Sequence, residues 1–420
     1  MDKFVIKGPA VLSGSVRTDG SKNAALPIMA GALLVSRGET VIKNVPPLRD
    51  INTFIKVLEH LGAKITYDPG AAVVTINAAT LTNNTAPYEL MRQMRASFLV
   101  LGPILSRLGE ARVSLPGGCS LGARPVDFHI KAFAAMQAEI EEKGGYIIAR
   151  GKPLKGDIIY FDRPSHTGTE NLLYGAVCAK GKTTIINAAC DPEVVDVTGF
   201  LNKSGAKIHG AGTPTITVEP VRSLKPVEYT VSGDRLVAGT YLIGAAMTGG
   251  DVEVSGIEPE QLTMVLRKLA EMGASVVSQK KRIRVTGPKR LAPVNLTTFP
   301  FPGFPTDLQA CMVAAASTAS GTSHIKETVF VDRFSHAMEF RRLGADIQVA
   351  GSEAVVNGVE YLQGAEVMAP DIRAGAGITL ACLSARGKSE ILRVYHIDRG
   401  YDRLEEKLAG LGADISRQPM

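Results

Sequence analysis

Two arrangements of apolar and polar positions alternate along the chain. In the first, apolar residues recur every three or four positions, as in INTFIKVLEHLG (51–62), which is typical of a helix that buries one face. In the second, small and apolar residues fill almost every position, as in LYGAVCAKG (173–181), which is typical of a helix buried on all sides. A β-branched segment follows each type. The pattern therefore predicts helix–strand units in which half-exposed and fully buried helices alternate.

Both arrangements recur six times in the same order. The amphipathic helices are predicted to end in Gly-Ala or a close variant about every 70 residues, one sixth of the 420-residue chain, at Gly62, Gly144, Gly205, Gly273, Gly344 and Gly412. Helices that are apolar all round belong in a domain centre with strands covering them, which is the inverse of an ordinary α/β barrel. Such a unit is longer than typical solenoid repeats, so we predict two globular groups of three units.

The composition narrows the class of protein. Hydrophobic residues make up 45% and charged residues 21%, as in soluble proteins, and no apolar run approaches the roughly 18 residues of a membrane helix. The first residues lack the apolar core of a signal peptide. Five scattered cysteines and seven dispersed histidines show neither a disulfide framework nor metal-ligand spacing. We therefore expect a cytoplasmic protein without a metal, and the dispersed net charge of +6 argues against nucleic-acid binding.

Several amphipathic helices are preceded by an arginine, at Arg49, Arg124, Arg333 and Arg399. Because the first N–H groups of a helix are unpaired and its dipole is positive there, an arginine at that point would complete an anion site. The alternative is that each arginine pairs with a carboxylate near it in sequence, such as Asp50, Asp332 or Asp398. Repeated units bring equivalent loops together, which favours a shared anion site. We interpret Arg49 as structural.

The stretch LPGGCSLGARPVDFH (115–129) places Cys119 in a glycine-rich, basic loop. Accessibility and the nearby Arg124 favour the thiolate form of this cysteine, although a chance surface cysteine is the alternative. The other four cysteines lie in apolar runs, which predicts inert core residues.

Two further stretches are candidates for binding or catalysis. GSKNAALP (20–27) places Lys22 and Asn23 at a turn into a buried helix, where they suit a phosphate or carboxylate, although the order differs from that of a P-loop. FPTDLQA (304–310) places Asp307 at the start of another buried helix, where it is either an N-cap or a general base.

These stretches, together with MRAS (94–97), ETVFVDRF (327–334) and YHIDRGYDRLEEKL (395–408), resemble the enolpyruvyl transferase family of the UDP-N-acetylglucosamine 1-carboxyvinyltransferase type. The resemblance runs from about residue 4 to residue 417. The related 3-phosphoshikimate enzymes share the six-unit fold but lack the Gly-Gly-Cys loop and the His-Ile-Asp-Arg-Gly-Tyr ending, so they are the weaker match.

The resemblance implies two inverse α/β-barrel domains with an active-site cleft between them, one formed by residues 1–21 and 230–420 and the other by residues 22–229. It implies transfer of enolpyruvyl from phosphoenolpyruvate to the 3′-hydroxyl of UDP-N-acetylglucosamine, with release of phosphate by addition and then elimination. This is the first committed step of peptidoglycan synthesis. We expect no cofactor, no membrane insertion and a monomer. A 3-phosphoshikimate-type enzyme and an inactive anion-binding paralogue are the alternatives.

The resemblance also implies roles for individual residues. Cys119 would protonate the methylene carbon of phosphoenolpyruvate or attack its C2, and Asp307 would take the proton from the sugar hydroxyl. Lys22, Asn23, Arg124 and Arg399 would bind phosphoenolpyruvate. The remaining substrate-binding positions would be Arg95, Pro125, Val126, Asp127, Phe128, Arg163, Ser165, Val329, Arg333, Asp371 and Arg373.

The chain departs from the family pattern at one loop. PSHTGTEN (164–171) replaces the usual PSVGATEN and puts His166 and Thr167 into a loop that the resemblance assigns to nucleotide binding. Backbone contacts tolerate this change, whereas contacts from the side chains of Arg163 and Ser165 depend on how the loop is held.

Overall fold

The computed structural model describes residues 2–92, 94–115, 126–151, 153–330 and 332–420. These residues form two compact units. The first unit comprises residues 2–19 and 233–420, and the second comprises residues 20–115 and 126–232.

The described residues of the first unit form three four-stranded sheets with one topology. In each sheet a parallel pair of strands is extended by two antiparallel strands. The strand orders are β22 (Glu366–Met368), β23 (Gly387–Leu392), β1 (Asp2–Gly8), β24 (Asp414–Pro419); β18 (Asn295–Thr297), β19 (Thr322–Lys326), β21 (Glu353–Asn357), β20 (Asp346–Ala350); and β2 (Ser13–Arg17), β15 (Asp251–Ser255), β17 (Arg282–Thr286), β16 (Ser275–Gln279).

The described residues of the second unit repeat this topology three more times. The strand orders are β14 (Glu228–Thr230), β3 (Thr40–Lys43), β5 (Val73–Asn77), β4 (Lys64–Asp68); β10 (Ile158–Tyr160), β11 (Thr183–Ile186), β13 (Thr215–Glu219), β12 (Lys207–His209); and β6 (Thr85–Ala86), β7 (Glu110–Ser114), β9 (Tyr146–Arg150), β8 (Glu139–Lys143). Six copies of one sheet account for the sixfold repeat in the sequence.

Most residues of the small-residue helices are buried, which confirms the predicted α/β class. They are α8 (Arg235–Met247), α10 (Gln309–Ala316) and α12 (Ile372–Ser384) in the first unit, and α1 (Lys22–Ala32), α4 (Leu101–Leu108) and α6 (His166–Val177) in the second. A Cβ atom on Gly377 would lie 2.7 Å from backbone atoms of Ala310, so only glycine allows α10 and α12 this close approach. No helix in the described part of the chain is long and apolar enough to cross a bilayer.

Five of the six longer amphipathic helices are followed by a glycine for a conformational reason. The six are α2 (Arg49–His60), α5 (Asp127–Ala135), α7 (Pro192–Lys203), α9 (Thr263–Glu271), α11 (Ala337–Arg342) and α13 (Leu404–Gly410), to which a short α3 (Tyr88–Met91) is added. Gly62, Gly205, Gly273, Gly344 and Gly412 follow five of these helices with φ between 86° and 105°, where a side chain is strained.

The prediction for Gly144 was wrong. IEEKGG belongs to strand β8 and its hairpin turn, not to the end of a helix. Helix α5 ends nine residues earlier than Gly144, and Gln137 takes the left-handed conformation with φ of 64° in place of the expected glycine. Gln137-Ala138 therefore takes the place of Gly-Ala in this repeat. A search of the sequence for glycine does not find it.

Candidate active site

Asp307 lies between two arginines in the first unit. Its Oδ1 is 2.7 Å from Nη2 of Arg333, and its Oδ2 is 3.2 Å from Nε of Arg373. Asp307 belongs to the 3₁₀ helix Thr306–Leu308 that precedes α10, and its side chain does not cap that helix, so the N-cap alternative was wrong. Arg333 therefore contacts the distant carboxylate of Asp307, whereas its sequence neighbour Asp332 is exposed. Two flanking guanidinium groups favour the ionised carboxylate.

Arg373 is held on several sides. Burial alone would lower its pKa, but Tyr401 and the carboxylates of Asp307 and Asp234 raise it. The guanidinium lies over the ring of Tyr401, 5.4 Å from its centre, and the Tyr401 hydroxyl is 2.9 Å from Oγ1 of Thr240. The Nη1 atom of Arg373 is buried and has no hydrogen-bond acceptor within the described residues. A buried donor of this kind suits an anionic ligand.

Asp371 caps helix α12 and thereby places Arg373. Its Oδ1 accepts hydrogen bonds from the backbone N–H groups of Arg373 at 2.8 Å and Ala374 at 2.9 Å. An aspartate cap fixes the first turn of a helix, so Asp371 orients the arginine two positions later.

Glu327 organises the loop that carries Val329, and sequence reasoning missed this role. Its Oε1 accepts from the backbone N–H of Val329 at 2.7 Å and of Phe330 at 3.0 Å, and from Oγ1 of Thr298 at 2.7 Å. Its Oε2 accepts from Oγ1 of Thr306 at 2.8 Å, and Thr306 in turn accepts from Nη1 of Arg333. Glu327 is 1% exposed, so these bonds connect the loop, inside the protein, to the Asp307 cluster, which consists of Asp307, Arg333 and Arg373.

Arg399 ends the 3₁₀ helix Val394–Arg399 and is half-buried. Tyr401, two residues later, contacts Arg373 as described above, so the turn after this helix adjoins the Asp307 cluster. The first unit therefore brings Asp307, Val329, Arg333, Asp371, Arg373 and Arg399 into one connected region.

Lys22 is the first residue of α1 in the second unit, and it is only 6% exposed. Its Nζ lies 3.2 Å from Oδ2 of Asp50, which is also buried. Ser21 caps the helix by accepting from the N–H of Ala24, and Asn23 is half-buried beside Lys22. Asp50, the carboxylate next to the exposed Arg49 in sequence, thus contacts Lys22. A buried cation requires a paired charge, and Asp50 provides one.

Val126, Asp127 and Phe128 begin helix α5, and Ser165 caps α6 by accepting from the N–H of Gly168 at 3.1 Å. Arg163 is exposed, with its guanidinium carbon 6.0 Å from the centre of the Phe128 ring. The second unit therefore places the start of α5 beside the loop that leads into α6.

His129 and Asn171 connect this loop to its surroundings, and sequence reasoning missed both. Nδ2 of Asn171 lies 3.0 Å from Nδ1 of His129 and donates to the carbonyl of Phe98 at 3.1 Å, while its Oδ1 accepts from the N–H of Gly102. Burial lowers the pKa of His129 to about 4, so the ring is neutral near neutral pH. Its Nε2 lies 3.5 Å from Oγ1 of Thr167, one of the departures from the family pattern.

His166, which also departs from the family pattern, has its Nε2 3.3 Å from Oε1 of Glu170. Glu170 is fully buried, and neither of its oxygens accepts a hydrogen bond within the described residues. Burial raises the pKa of Glu170 to about 8; His166 lowers it by a smaller amount, and the carboxylates of Glu193 and Asp191 raise it further. The substituted side chains at 166 and 167 thus contact residues of their own unit.

Cys119, Arg124 and Pro125 lie outside the described residues, as does the side chain of Arg95, whose backbone begins the 3₁₀ helix Arg95–Val100. Among the described cysteines, Cys311 and Cys382 are fully buried, and burial raises the pKa of each to about 12. Cys178 and Cys190 are half-buried rather than in the core, and burial raises their pKa as well.

Comparison with known proteins identifies the family. Residues 6–408 match the family model described as EPSP synthase (3-phosphoshikimate 1-carboxyvinyltransferase). The solved enolpyruvyl transferase NikO from Streptomyces tendae has a similar fold, with a TM-score of 0.89 at 24% identity over 99% of each chain. EPSP synthase from Acinetobacter baumannii has a TM-score of 0.77 at 20% identity over the whole of both chains.

The curated relatives are more similar in sequence. The chain is 50% identical to the UDP-N-acetylglucosamine 1-carboxyvinyltransferases of Desulfosudis oleivorans and Geotalea uraniireducens over 99% of each protein, and 49% identical to that of Myxococcus xanthus over 100%. The chain therefore belongs to the carboxyvinyl, or enolpyruvyl, transferase family, and specifically to its UDP-N-acetylglucosamine 1-carboxyvinyltransferase group.

Proposed function

We propose that this protein is a transferase that moves the enolpyruvyl group of phosphoenolpyruvate to the 3′-hydroxyl of UDP-N-acetylglucosamine and releases phosphate. The observation that carries the proposal is the 50% identity, over 99% of the chain, to enzymes named for this activity. Its product would be the first committed precursor of peptidoglycan. We further propose that the protein acts as a monomer in the cytoplasm.

The Asp307 cluster supports a base at the sugar hydroxyl. In the addition step, the hydroxyl oxygen bonds to C2 of phosphoenolpyruvate, its proton passes to Asp307, and C3 gains a proton from Cys119. In the elimination step, the bond from C2 to the phosphate oxygen breaks, C3 returns a proton to the Cys119 thiolate, and phosphate leaves with the proton that Asp307 had taken. Arg333 and Arg373 hold both carboxylate oxygens of Asp307, which fixes the direction from which it accepts the proton.

Binding of the two anionic substrates requires cationic side chains. Phosphoenolpyruvate carries about three negative charges and the nucleotide diphosphate about two more, so the site needs several cations. We assign Lys22, Asn23, Arg124 and Arg399 to phosphoenolpyruvate. The positions that we assign to the UDP-sugar are Arg95, Pro125, Val126, Asp127, Phe128, Arg163, Ser165 and Val329.

The departure at His166 and Thr167 is compatible with this assignment. His166 contacts Glu170 and Thr167 contacts His129, both within their own unit, and Ser165 caps α6. Backbone groups of the loop therefore stay in a defined position for the nucleotide.

Release of inorganic phosphate tests the proposal. The purified protein should release phosphate only when phosphoenolpyruvate and UDP-N-acetylglucosamine are both present, with one phosphate for each sugar converted. Turnover with 3-phosphoshikimate in place of the UDP-sugar would instead support the 3-phosphoshikimate-type alternative. A folded protein that releases no phosphate with either acceptor would be the anion-binding paralogue, and the proposal would be wrong.

A further inference from the structure

Arg417 lies on β24, the last strand of the chain, and its guanidinium reaches two carboxylates of the first unit. Its Nη2 and Nη1 lie 2.6 and 3.1 Å from the two oxygens of Asp398. Its Nε and Nη2 lie 2.6 and 3.3 Å from the two oxygens of Glu405. Every guanidinium nitrogen is engaged, and each carboxylate is held at two points. This geometry fixes the orientation of both partners as well as their charge.

These contacts bracket the turn that carries Arg399. Asp398 lies just before Arg399 in the 3₁₀ helix, and Glu405 lies in the first turn of α13. Between them, Arg403 has φ of 43°. This left-handed conformation costs a residue with a side chain about 1–2 kcal/mol. A turn of this kind needs contacts from outside to hold it. Arg417 supplies them on both sides of the strained residue.

The charges point to a second role for the same contacts. The hydrogen bonds with Asp398 and Glu405 raise the pKa of Arg417, against the lowering effect of its partial burial. Asp2 also lies 3.4 Å from Nη1 of Arg417, so three carboxylates share this cation. If Arg417 were removed, Asp398 would lose its counter-ion, and the cation next to it in sequence is Arg399. Asp398 would then compete with an anionic substrate for Arg399.

We propose that Arg417 is a positioning residue for the phosphoenolpyruvate site: it holds the turn from Asp398 to Glu405 and keeps the Asp398 carboxylate from competing for Arg399. The assignment rests on the proposed function, because Arg399 is assigned to phosphoenolpyruvate there. Arg417 itself contacts Asp398, Glu405 and Asp2, and it acts through Arg399 rather than on the substrate.

Steady-state kinetics of Arg417→Met and Arg417→Lys test the proposal, with the KM for each substrate measured separately. Loss of the cation in Arg417→Met should raise the KM for phosphoenolpyruvate about tenfold and leave the KM for UDP-N-acetylglucosamine within about twofold. Arg417→Lys keeps the charge but not the two-point contacts, so its effect should be intermediate. A merely structural role would change both KM values alike or lower only the melting temperature.

A second substitution separates charge from packing. In the Arg417→Met background, Asp398→Asn removes the uncompensated carboxylate, so it should return the KM for phosphoenolpyruvate toward the wild-type value. If Arg417→Met does not fold, the same comparison is made in the Arg417→Lys background. If Asp398→Asn does not lower the KM for phosphoenolpyruvate in either variant, the proposed competition between Asp398 and the substrate is wrong.

Arg284 provides the matched control. It forms the same kind of two-point ion pair with Asp251, with Nε 2.8 Å from Oδ1, between the exposed faces of β17 and β15. Arg284→Met should leave both KM values unchanged. Absence of turnover in the folded wild-type protein would overturn the proposed function and the Arg417 assignment with it. If the wild type is active but Arg417→Met changes the KM values for both substrates alike, only the Arg417 assignment is overturned.

Discussion

Arg373 donates a hydrogen bond from Nε to Oδ2 of Asp307 although 66 positions separate the two residues in the chain. Asp371 fixes the start of the helix that carries Arg373, and Tyr401 lies against the guanidinium, so the arginine is held before any substrate binds. The carboxylate therefore has a set orientation. Pre-positioning of this kind reduces the reorganisation that a proton transfer requires.

Asp307→Asn tests the assignment of Asp307 as the base. An amide cannot take the proton from the sugar hydroxyl, so kcat should fall by about 10²–10⁴ while the KM values change little. Phosphate release under saturating substrates measures this. Asp332→Asn is the control, because Asp332 is exposed and adjoins Arg333 in sequence. Equal losses in both variants would rule out a specific role for Asp307.

Glu327→Gln should weaken the loop that carries Val329. Glutamine has one acceptor oxygen, whereas the two oxygens of Glu327 accept four hydrogen bonds. We expect the free energy of unfolding to fall by about 1–3 kcal/mol, because at least one buried donor loses its acceptor. The KM for UDP-N-acetylglucosamine should rise more than that for phosphoenolpyruvate. Urea titration and steady-state kinetics provide the two measurements.

Glu353→Gln is the control for that substitution. Glu353 lies on β21 of the same unit and contacts His324 at 3.0 Å, but both side chains are exposed. An exposed pair of this kind contributes about 0–1 kcal/mol, so the control should be nearly neutral. A Glu327→Gln variant as stable as Glu353→Gln would contradict the role assigned to the buried carboxylate.

The repeat pattern predicted the fold because each unit carries its own local signal. A small-residue helix must be buried whichever partner covers it, and a glycine with positive φ marks the end of an amphipathic helix. The one error shows the limit of that signal. Gln137 adopts the same conformation as the glycines elsewhere, with φ of 64°, and nothing in its residue type announces this.

The missed site residues have partners far away in the chain. Lys22 contacts Asp50 across 28 positions, and Asn171 contacts His129 across 42. The family resemblance named residues expected to touch substrates, whereas Asp50, Glu327 and Asn171 contact those residues or their loops. Such supporting contacts depend on how the sheets and helices pack, and no spacing in the sequence encodes them.

Glu170 should make the stability of the protein depend on pH. Its pKa is raised by burial from 4.5 to about 8 in the folded protein, so between these values the folded state binds more protons than the unfolded state. The free energy of unfolding should therefore fall as the pH rises through this range, by up to about 1.4 kcal/mol per pH unit from this group. Glu170→Gln removes the contribution and should be more stable than the wild type at about pH 8.

Urea titrations at about pH 5 and about pH 8 measure the effect as the difference between wild type and variant, which cancels the other titrating groups. His166, Glu193 and Asp191 face Glu170 and remain in the variant. Glu141→Gln, on the exposed strand β8, is the control and should show no pH-dependent difference from the wild type. A constant difference between wild type and Glu170→Gln at both pH values would contradict a buried, titrating Glu170.

Cys119 should be the cysteine that a small electrophile modifies. Burial raises the pKa of the other four thiols, so little of each is thiolate near neutral pH, whereas the sequence places Cys119 in a glycine-rich loop near Arg124. A phosphonate epoxide such as fosfomycin should therefore add once per chain, as intact-mass analysis will show. Cys119→Ala should gain no adduct, and Cys119→Asp should resist it but retain some turnover, because a carboxyl group can donate a proton. Equal labelling of the wild type and Cys119→Ala would show that the reactive thiol lies elsewhere.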